Sequence, residues 1–267
     1  MARTLRLNNE SLGKTAEYAL CIALNTPYCG TFNYSIEEAN TLARRFQDNT
    51  NIMERFGGYV HSGNKCPITG IRNPPYDFIH PNDPTKILSV KTIMRAKDKC
   101  YPICPSVIGQ PSRLRFKQLF GLAQDASDAE MKQHIMDNLR TMLTDYFSHT
   151  FEHKGDGHEI SSAASSSIEM PILFYHKELN KCMIIDANKH NSISWTSFQY
   201  QFTHIANNRD WTESTTVSIV NTEDQNQTRG KPIGEFQFHN NRTSVKFRFK
   251  LRNVLDIFPE HFTVDEW

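Results

Sequence analysis

No stretch of the 267-residue sequence approaches the roughly 18 consecutive apolar residues that a membrane-spanning helix needs. A helical membrane protein is therefore not expected, nor a membrane partner. The opening residues Met1-Ala2-Arg3-Thr4-Leu5-Arg6 contain no apolar core of the secretory kind, so an intracellular, cytoplasmic protein is expected. Charge of one sign is missing as well. The 30 Lys and Arg residues nearly balance 29 Asp and Glu, leaving +1. A protein-wide basic field is thereby excluded, and any contact with nucleic acid has to be local. Cysteine is sparse, with six residues and no paired C-x-x-C knuckles, so reduced thiols are expected in place of a disulfide framework or a zinc ribbon. No internal repeat of solenoid or propeller period is present.

Other partial patterns carry little chemistry. His149 and His153 stand one helical turn apart with His158 nearby, but near a helix end, where histidines commonly meet free carbonyls. Cys100-Tyr-Pro-Ile-Cys104 with Cys66 is suggestive of zinc but lacks paired C-x-x-C knuckles, and buried free cysteine is common. Gly13-Lys14-Thr15 imitates the end of a phosphate-binding loop, yet position 8, where its first glycine belongs, is Asn.

Hydrophobic residues at 38% and charged residues at 22% suit a globular chain with a sizeable core. Apolar spacing predicts a helix over Leu12–Leu24, stopped by Thr26-Pro27, and Ser35-Ile-Glu-Glu38 opens a second helical stretch to about Phe56. The Gly-, Pro- and Asn-rich run from Gly57 to Tyr76 reads as a loop. Tyr76–His80 and Lys86–Met94 read as strands around a turn at Pro81–Pro84. Helices are expected over Pro111–Gly121 and Ser127–His149. Gly155-Asp-Gly and the serine-rich run 161–167 read as a mobile connection. Beyond it come β-like runs at Met170–Tyr175, Cys182–Ala187, Trp195–Phe202, Thr215–Val220, Gly234–His239 and Ser244–Leu251. The expected fold is α/β, a mixed central sheet flanked by helices, in one domain with two lobes: a catalytic lobe over 1–155 and a β-rich DNA-recognition lobe over 168–267.

The chemistry lies in the first hairpin, which brings Asp77 and Lys91 to the same edge of a sheet. Taken singly, Asp77 reads as a turn or capping aspartate and Lys91 as a solvated strand lysine. Taken together, Pro75-Tyr76-Asp77 and Ser89-Val90-Lys91 resemble the PD-(D/E)XK nuclease superfamily, in which an aspartate is followed by an acid-X-lysine tripeptide on the adjoining strand. Leu88-Ser-Val-Lys-Thr92 and the segment through Arg95, Lys97, Lys99 and Val107–Ser112 resemble the corresponding part of several restriction endonucleases. Ser89 departs from the pattern, standing where the family has Asp or Glu, which leaves one or two metal ions open. The resemblance implies a restriction-endonuclease-like fold and a Mg²⁺ cofactor bound by Asp77 and the Val90 carbonyl. It also implies Lys91 orienting the attacking water, Ser89 in support, and Glu17 of the first helix as an accessory acid.

A second hairpin is the expected DNA reader. Period-two alternation sets Glu235, Gln237 and His239 on one face, and Lys246, Arg248, Lys250 and Arg252 on the polar face of the following strand. Such a ribbon suits the major groove, where Gln pairs with adenine and Arg or Lys with guanine. Gln237, His239, Asn240, Asn241, Arg242, Lys246 and Arg248 are the candidates, with Arg113 and Arg115 as backbone contacts. The residues thus point to a sequence-specific double-stranded DNA endonuclease of the type II restriction kind. The alternatives are a repair or structure-selective nuclease and a non-catalytic DNA-binding protein. A palindromic target would imply a two-fold homodimer.

Overall fold

A computed structural model describes residues 7–74, 76–95, 102–103, 111–148, 151–155, 158–164, 171–187, 192–220, 230–240 and 242–267. In chain order they form α1 (Asn9–Ala23), α2 (Ile36–Gln47), α3 (Thr50–Phe56), β1 (Val60–His61), β2 (Phe78–His80), β3 (Asp83–Ile93), β4 (Pro102–Ile103), α4 (Arg113–Leu119) and α5 (Asp128–Ser148). There follow β5 (Phe151–Gly155), β6 (His158–Ala164), β7 (Ile172–His176), β8 (Lys181–Ala187), β9 (Gln199–Phe202), α6 (Thr203–Ala206), β10 (Ser214–Val220), β11 (Lys231–Gln237), β12 (Lys246–Lys250), α7 (Leu251–Ile257) and β13 (Phe262–Glu266). The fold is mixed α/β. Among the described residues no helix is long and apolar enough to cross a membrane.

Two compact units divide the chain, one drawn from Met1–Asp98, Met170–Asp186 and Val264–Trp267, the other from Lys99–Glu169 and Ala187–Thr263. The first is built on a mixed sheet of order β1-β2-β3-β7-β8-β13. Its β3 pairs antiparallel with β2 and parallel with β7. Leu12, Ala16, Ala19, Leu20 and Ala23 recur at helical spacing on α1 and pack with Leu42, Phe46, Phe56, Leu88 and Val90 in one buried core. The alanines let the helix lie close to the sheet. Because α1 carries Glu17 and β3 carries Ser89, Val90 and Lys91, this packing fixes the frame of the candidate site.

The second unit holds an antiparallel sheet of order β4-β12-β11-β10-β9 and the hairpin β5-β6. Phe236, Phe238, Phe247 and Phe249 are buried together with Trp211, Val217 and Ile233, and the Phe236 and Phe247 rings lie 4.4 Å apart.

Several elements depart from expectation for identifiable reasons. Residues 172–187 join the first sheet and 113–164 the second unit, a division that differs from lobes at 1–155 and 168–267. The run Ile172–His176 is buried at every position, as a strand covered on both faces must be, and it pairs with β3 far back in the sequence. The helical stretch to Phe56 breaks at Asp48-Asn49, where the Asn49 side chain accepts from Ile52 N and starts a new helix. Ser35 caps α2, but Glu38 does not return the bond, binding Tyr175 and Lys177 instead. Ser127 and Glu130 do form the reciprocal box. Within the expected loop 57–76, Val60–His61 pairs with β2. Trp195–Ser197 is a 3-10 turn ahead of β9. Gly155 and Ser161–Ser162 belong to strands, while Ser165–Ser167 lie outside the described residues, as do Cys100, Cys104 and His149. Cys21, Cys29, Cys66 and Cys182 are free thiols.

Candidate active site

The hairpin of β2 and β3 brings Asp77 and Lys91 together. One residue before β2, Asp77 donates its N–H to Leu88 O, and its carboxylate then takes over part of the strand's bonding. Oδ2 accepts from Val90 N at 2.6 Å, from Ser89 Oγ at 3.1 Å and from Lys91 Nζ at 3.4 Å. All three of these donors converge on one oxygen, leaving Oδ1 for other partners. Lys91 Nζ also donates to Val90 O at 3.3 Å. Ser89 is fully buried, whereas Asp77 and Lys91 keep about a quarter to a third of their side chains exposed.

Glu17 approaches from α1. Its Oε2 lies 3.1 Å from His61 Nε2, and it is close enough to Asp77 and Lys91 for their charges to act on it. Burial pushes the Glu17 carboxyl above its ordinary range. The His61 hydrogen bond opposes the rise, the Asp77 carboxylate adds to it and the Lys91 ammonium opposes it. The centre therefore holds two acids, one lysine and the buried hydroxyl of Ser89. His61 and Ser62 were not legible as site residues, because they sit in a Gly-, Pro- and Asn-rich run whose only strand signal is two residues long.

In the second unit, Glu235 stands opposite Arg248 and Gln237 opposite Lys246. The face they share is not a free reading surface. Gln237 is buried, its Nε2 donating to Glu235 Oε1 at 3.0 Å and its Oε1 lying 3.2 Å from His239 Nε2. Arg248 donates to Glu235 Oε2 at 2.9 Å. This chain uses most of the polar groups that base reading would require, and it holds the Glu235 carboxyl low. Asn240 and Arg242 are exposed and Lys246 half-buried, while Asn241 lies outside the described residues.

Arg113 is already engaged within the protein. Its guanidinium grips Asp128 through two bonds at 2.7 and 2.8 Å and also donates to the Arg242 and His239 carbonyls. It ties the start of α4 to α5 and to the segment joining β11 and β12. Arg115 is half-buried two positions on, in the same short helix.

The chain is similar to a restriction enzyme. Type II restriction enzyme CviAII of Paramecium bursaria Chlorella virus 1 is 28% identical over 258 residues, which are 97% of this chain and 63% of that enzyme. The chain thus spans a little under two thirds of the length of CviAII. No family model matches, and no solved structure matches.

Among the described residues no group of three or more His, Cys, Asp and Glu side chains could hold a metal ion. The oxygens at the hairpin nevertheless suit a hard cation that keeps most of its water. Asp77 Oδ2 and Val90 O both attract the same ammonium, at 3.4 and 3.3 Å, so a positive charge already rests against both. Mg²⁺ binds through one or two carboxylates plus water in many enzymes, and the donor set fits it.

Proposed function

We propose that the chain is a sequence-specific double-stranded DNA endonuclease of the type II restriction kind, with a PD-(D/E)XK centre in which Ser89 replaces the usual acid. The observation that carries this reading is the convergence of Asp77, Ser89, Val90 and Lys91 on one carboxylate oxygen across a two-stranded turn. The similarity to CviAII over nearly the whole chain supports it.

Asp77 and the Val90 carbonyl would hold Mg²⁺, which when bound would supply Lewis-acid stabilisation of the scissile phosphate. Lys91 orients the attacking water and offsets phosphate charge. Glu17, with its raised carboxyl, is the accessory acid, able to take a proton from that water because its basicity exceeds that of a surface carboxylate. Ser89 steadies Asp77 without adding a second negative charge. Arg242, Lys246 and Asn240 are the available DNA contacts of the second hairpin. A palindromic target calls for a two-fold dimer, so that protein and site share their symmetry.

Ser89 also favours a second reading, a DNA-binding protein that does not cleave. Incubation of the purified protein with long, sequenced DNA, in Mg²⁺ or in EDTA, beside Lys91→Ala, separates the two. Discrete fragments that need Mg²⁺ and are missing from the variant are the expected result. Binding without cleavage favours the second reading, and preference for branched or mismatched duplexes over intact sites favours a structure-selective nuclease.

A further inference from the structure

Two adjacent buried side chains, the last residue of β1 and the one after it, reach Glu17 and the backbone of Asp77. His61 and Ser62 are each 2% exposed, and His61 is paired with Phe78, the residue after Asp77. Ser62 N donates to Asp77 O at 2.9 Å. Its hydroxyl divides one proton between Tyr76 O at 2.8 Å and Asp77 O at 3.0 Å. The backbone of Asp77 is thus held by the residue that follows β1 while its carboxylate is held from β3.

The protonation of His61 is set by its surroundings. Cys29 N lies 3.1 Å from Nδ1 and, as a backbone N–H, can only donate. Nδ1 is therefore the acceptor, the neutral ring carries its proton on Nε2, and Nε2 donates to Glu17 Oε2 at 3.1 Å. The ring cannot easily swing away. Tyr28 stacks on it at 4.7 Å, and Phe78 meets it edge-on at 5.1 Å. Gly63, in a left-handed conformation at φ +59, lets the Cys29 backbone come this close, since a Cβ there would lie 2.4 Å from Cys29 O.

We infer that His61 is a positioning residue for the cleavage reaction, holding Glu17 Oε2 through its Nε2 proton so that the other carboxylate oxygen faces the reaction, with the adjacent Ser62 fixing the backbone of Asp77. This rests on the nuclease reading above, in which Glu17 is the accessory acid. His61 acts only through Glu17, and that dependence separates it from a histidine that merely fills the core.

The test uses the full chain and single-turnover cleavage of a DNA carrying the mapped site. His61→Phe keeps the ring stacked on Tyr28 and removes both hydrogen bonds, whereas His61→Gln retains an N–H that reaches Glu17. His61→Phe is expected to slow cleavage about 10- to 100-fold, as loss of a supporting hydrogen bond at a metal centre does, and His61→Gln to restore most of the rate. In a Glu17→Gln background the same substitution should cost less than about twofold, because residues that act as a unit are not additive. DNA affinity in Ca²⁺ should be equal across the series. The imidazole ¹⁵N spectrum of the metal-free wild type should show Nδ1 unprotonated and Nε2 protonated.

Losses that multiply in the double variant, or a ring protonated on Nδ1 alone, overturn the inference. If His61→Phe does not fold, His61→Asn takes its place, since its amide ends short of Glu17, and equal rates for His61→Asn and His61→Gln overturn the inference as well. A wild type that cleaves no DNA overturns the nuclease reading and the positioning role with it. A cleaving wild type with multiplicative losses overturns the positioning role alone.

Discussion

The Lys91 ammonium sits between two oxygens, 3.4 Å from Asp77 Oδ2 and 3.3 Å from the Val90 carbonyl. Both are the oxygens that the nuclease reading gives to Mg²⁺. Lysine thus neutralises the centre from within, and on that reading a divalent ion would have to displace it from the pair. The displaced ammonium would remain on its flexible stem, within reach of the phosphate of the proposed substrate.

Lys91→Ala should therefore remove chemistry and leave the fold. Its ion pair with Asp77 is about a third exposed, and pairs of that kind contribute about 0–1 kcal/mol. Asp77 retains the Val90 N–H and Ser89 hydroxyl. The melting temperature should change little, DNA binding in Ca²⁺ should persist, and single-turnover cleavage should fall by about 10²–10⁴. Undiminished cleavage would remove Lys91 from the mechanism.

Ser89→Asp introduces the acid that the PD-(D/E)XK pattern carries at this place and tests whether the centre gathers cations. Ser89 is fully buried, with its hydroxyl 3.1 Å from Asp77 Oδ2, so a carboxylate there faces another at close range. Without metal the variant should melt below the wild type at neutral pH, because like charges so near cannot both ionise without penalty. Titrated Mg²⁺ should raise its melting temperature more than that of the wild type. Equal shifts in the two proteins would mean that these oxygens do not bind the ion.

Glu17 gives the pH dependence of stability a definite sign. Its folded-state carboxyl is raised above the ordinary value of 4.5, first by burial, so the folded chain binds this proton more tightly than the unfolded chain does. The stabilising contribution is complete below 4.5 and is lost as pH rises through the folded value. Glu17→Gln keeps an acceptor for His61 and removes the ionisation. Variant and wild type should melt alike near pH 4, with the variant gaining steadily toward pH 8. In a chain of this size about 1 kcal/mol reads as roughly 2–4 °C. A gap independent of pH in thermal unfolding would show that Glu17 is not strained by its burial.

What was legible in the sequence divides along the range of the interactions. Asp77, Ser89 and Lys91 came together because a hairpin is local, and alternation on either side of the turn read at Pro81–Pro84 brings them to one edge, although β3 in fact begins at Asp83. Residues 172–176 were readable as a strand, but not as the parallel partner of β3, since that pairing depends on what covers both faces of the sheet. His61 and Ser62 gave no signal, being the end of a two-residue strand and the residue after it in a run that reads as loop. Gln237 alternated as expected, yet its burial and its bonds to Glu235 and His239 depend on tertiary packing that a period of two does not encode.

Arg113 and Arg115 looked equivalent in sequence and should separate in experiment. Arg113 spends its guanidinium on Asp128 and on the Arg242 and His239 carbonyls, all within the second unit. Charge-assisted bonds of this kind contribute about 1.5–3 kcal/mol when shielded, and the partial exposure of Asp128 brings the net expectation for Arg113→Ala to about 1–2 kcal/mol of lost stability. That loss should appear in denaturant unfolding as a lower midpoint at unchanged slope. The half-buried Arg115 contributes its N–H to the Ser112 cap, and that bond survives truncation of the side chain. Arg115→Ala should thus melt like the wild type while its DNA affinity falls and the slope of log affinity against log salt shrinks by about 1, the mark of one phosphate contact removed. If Arg113→Ala instead keeps full stability and loses the salt slope, the guanidinium leaves Asp128 for phosphate when DNA binds, and the clamp is a switch between the two anions.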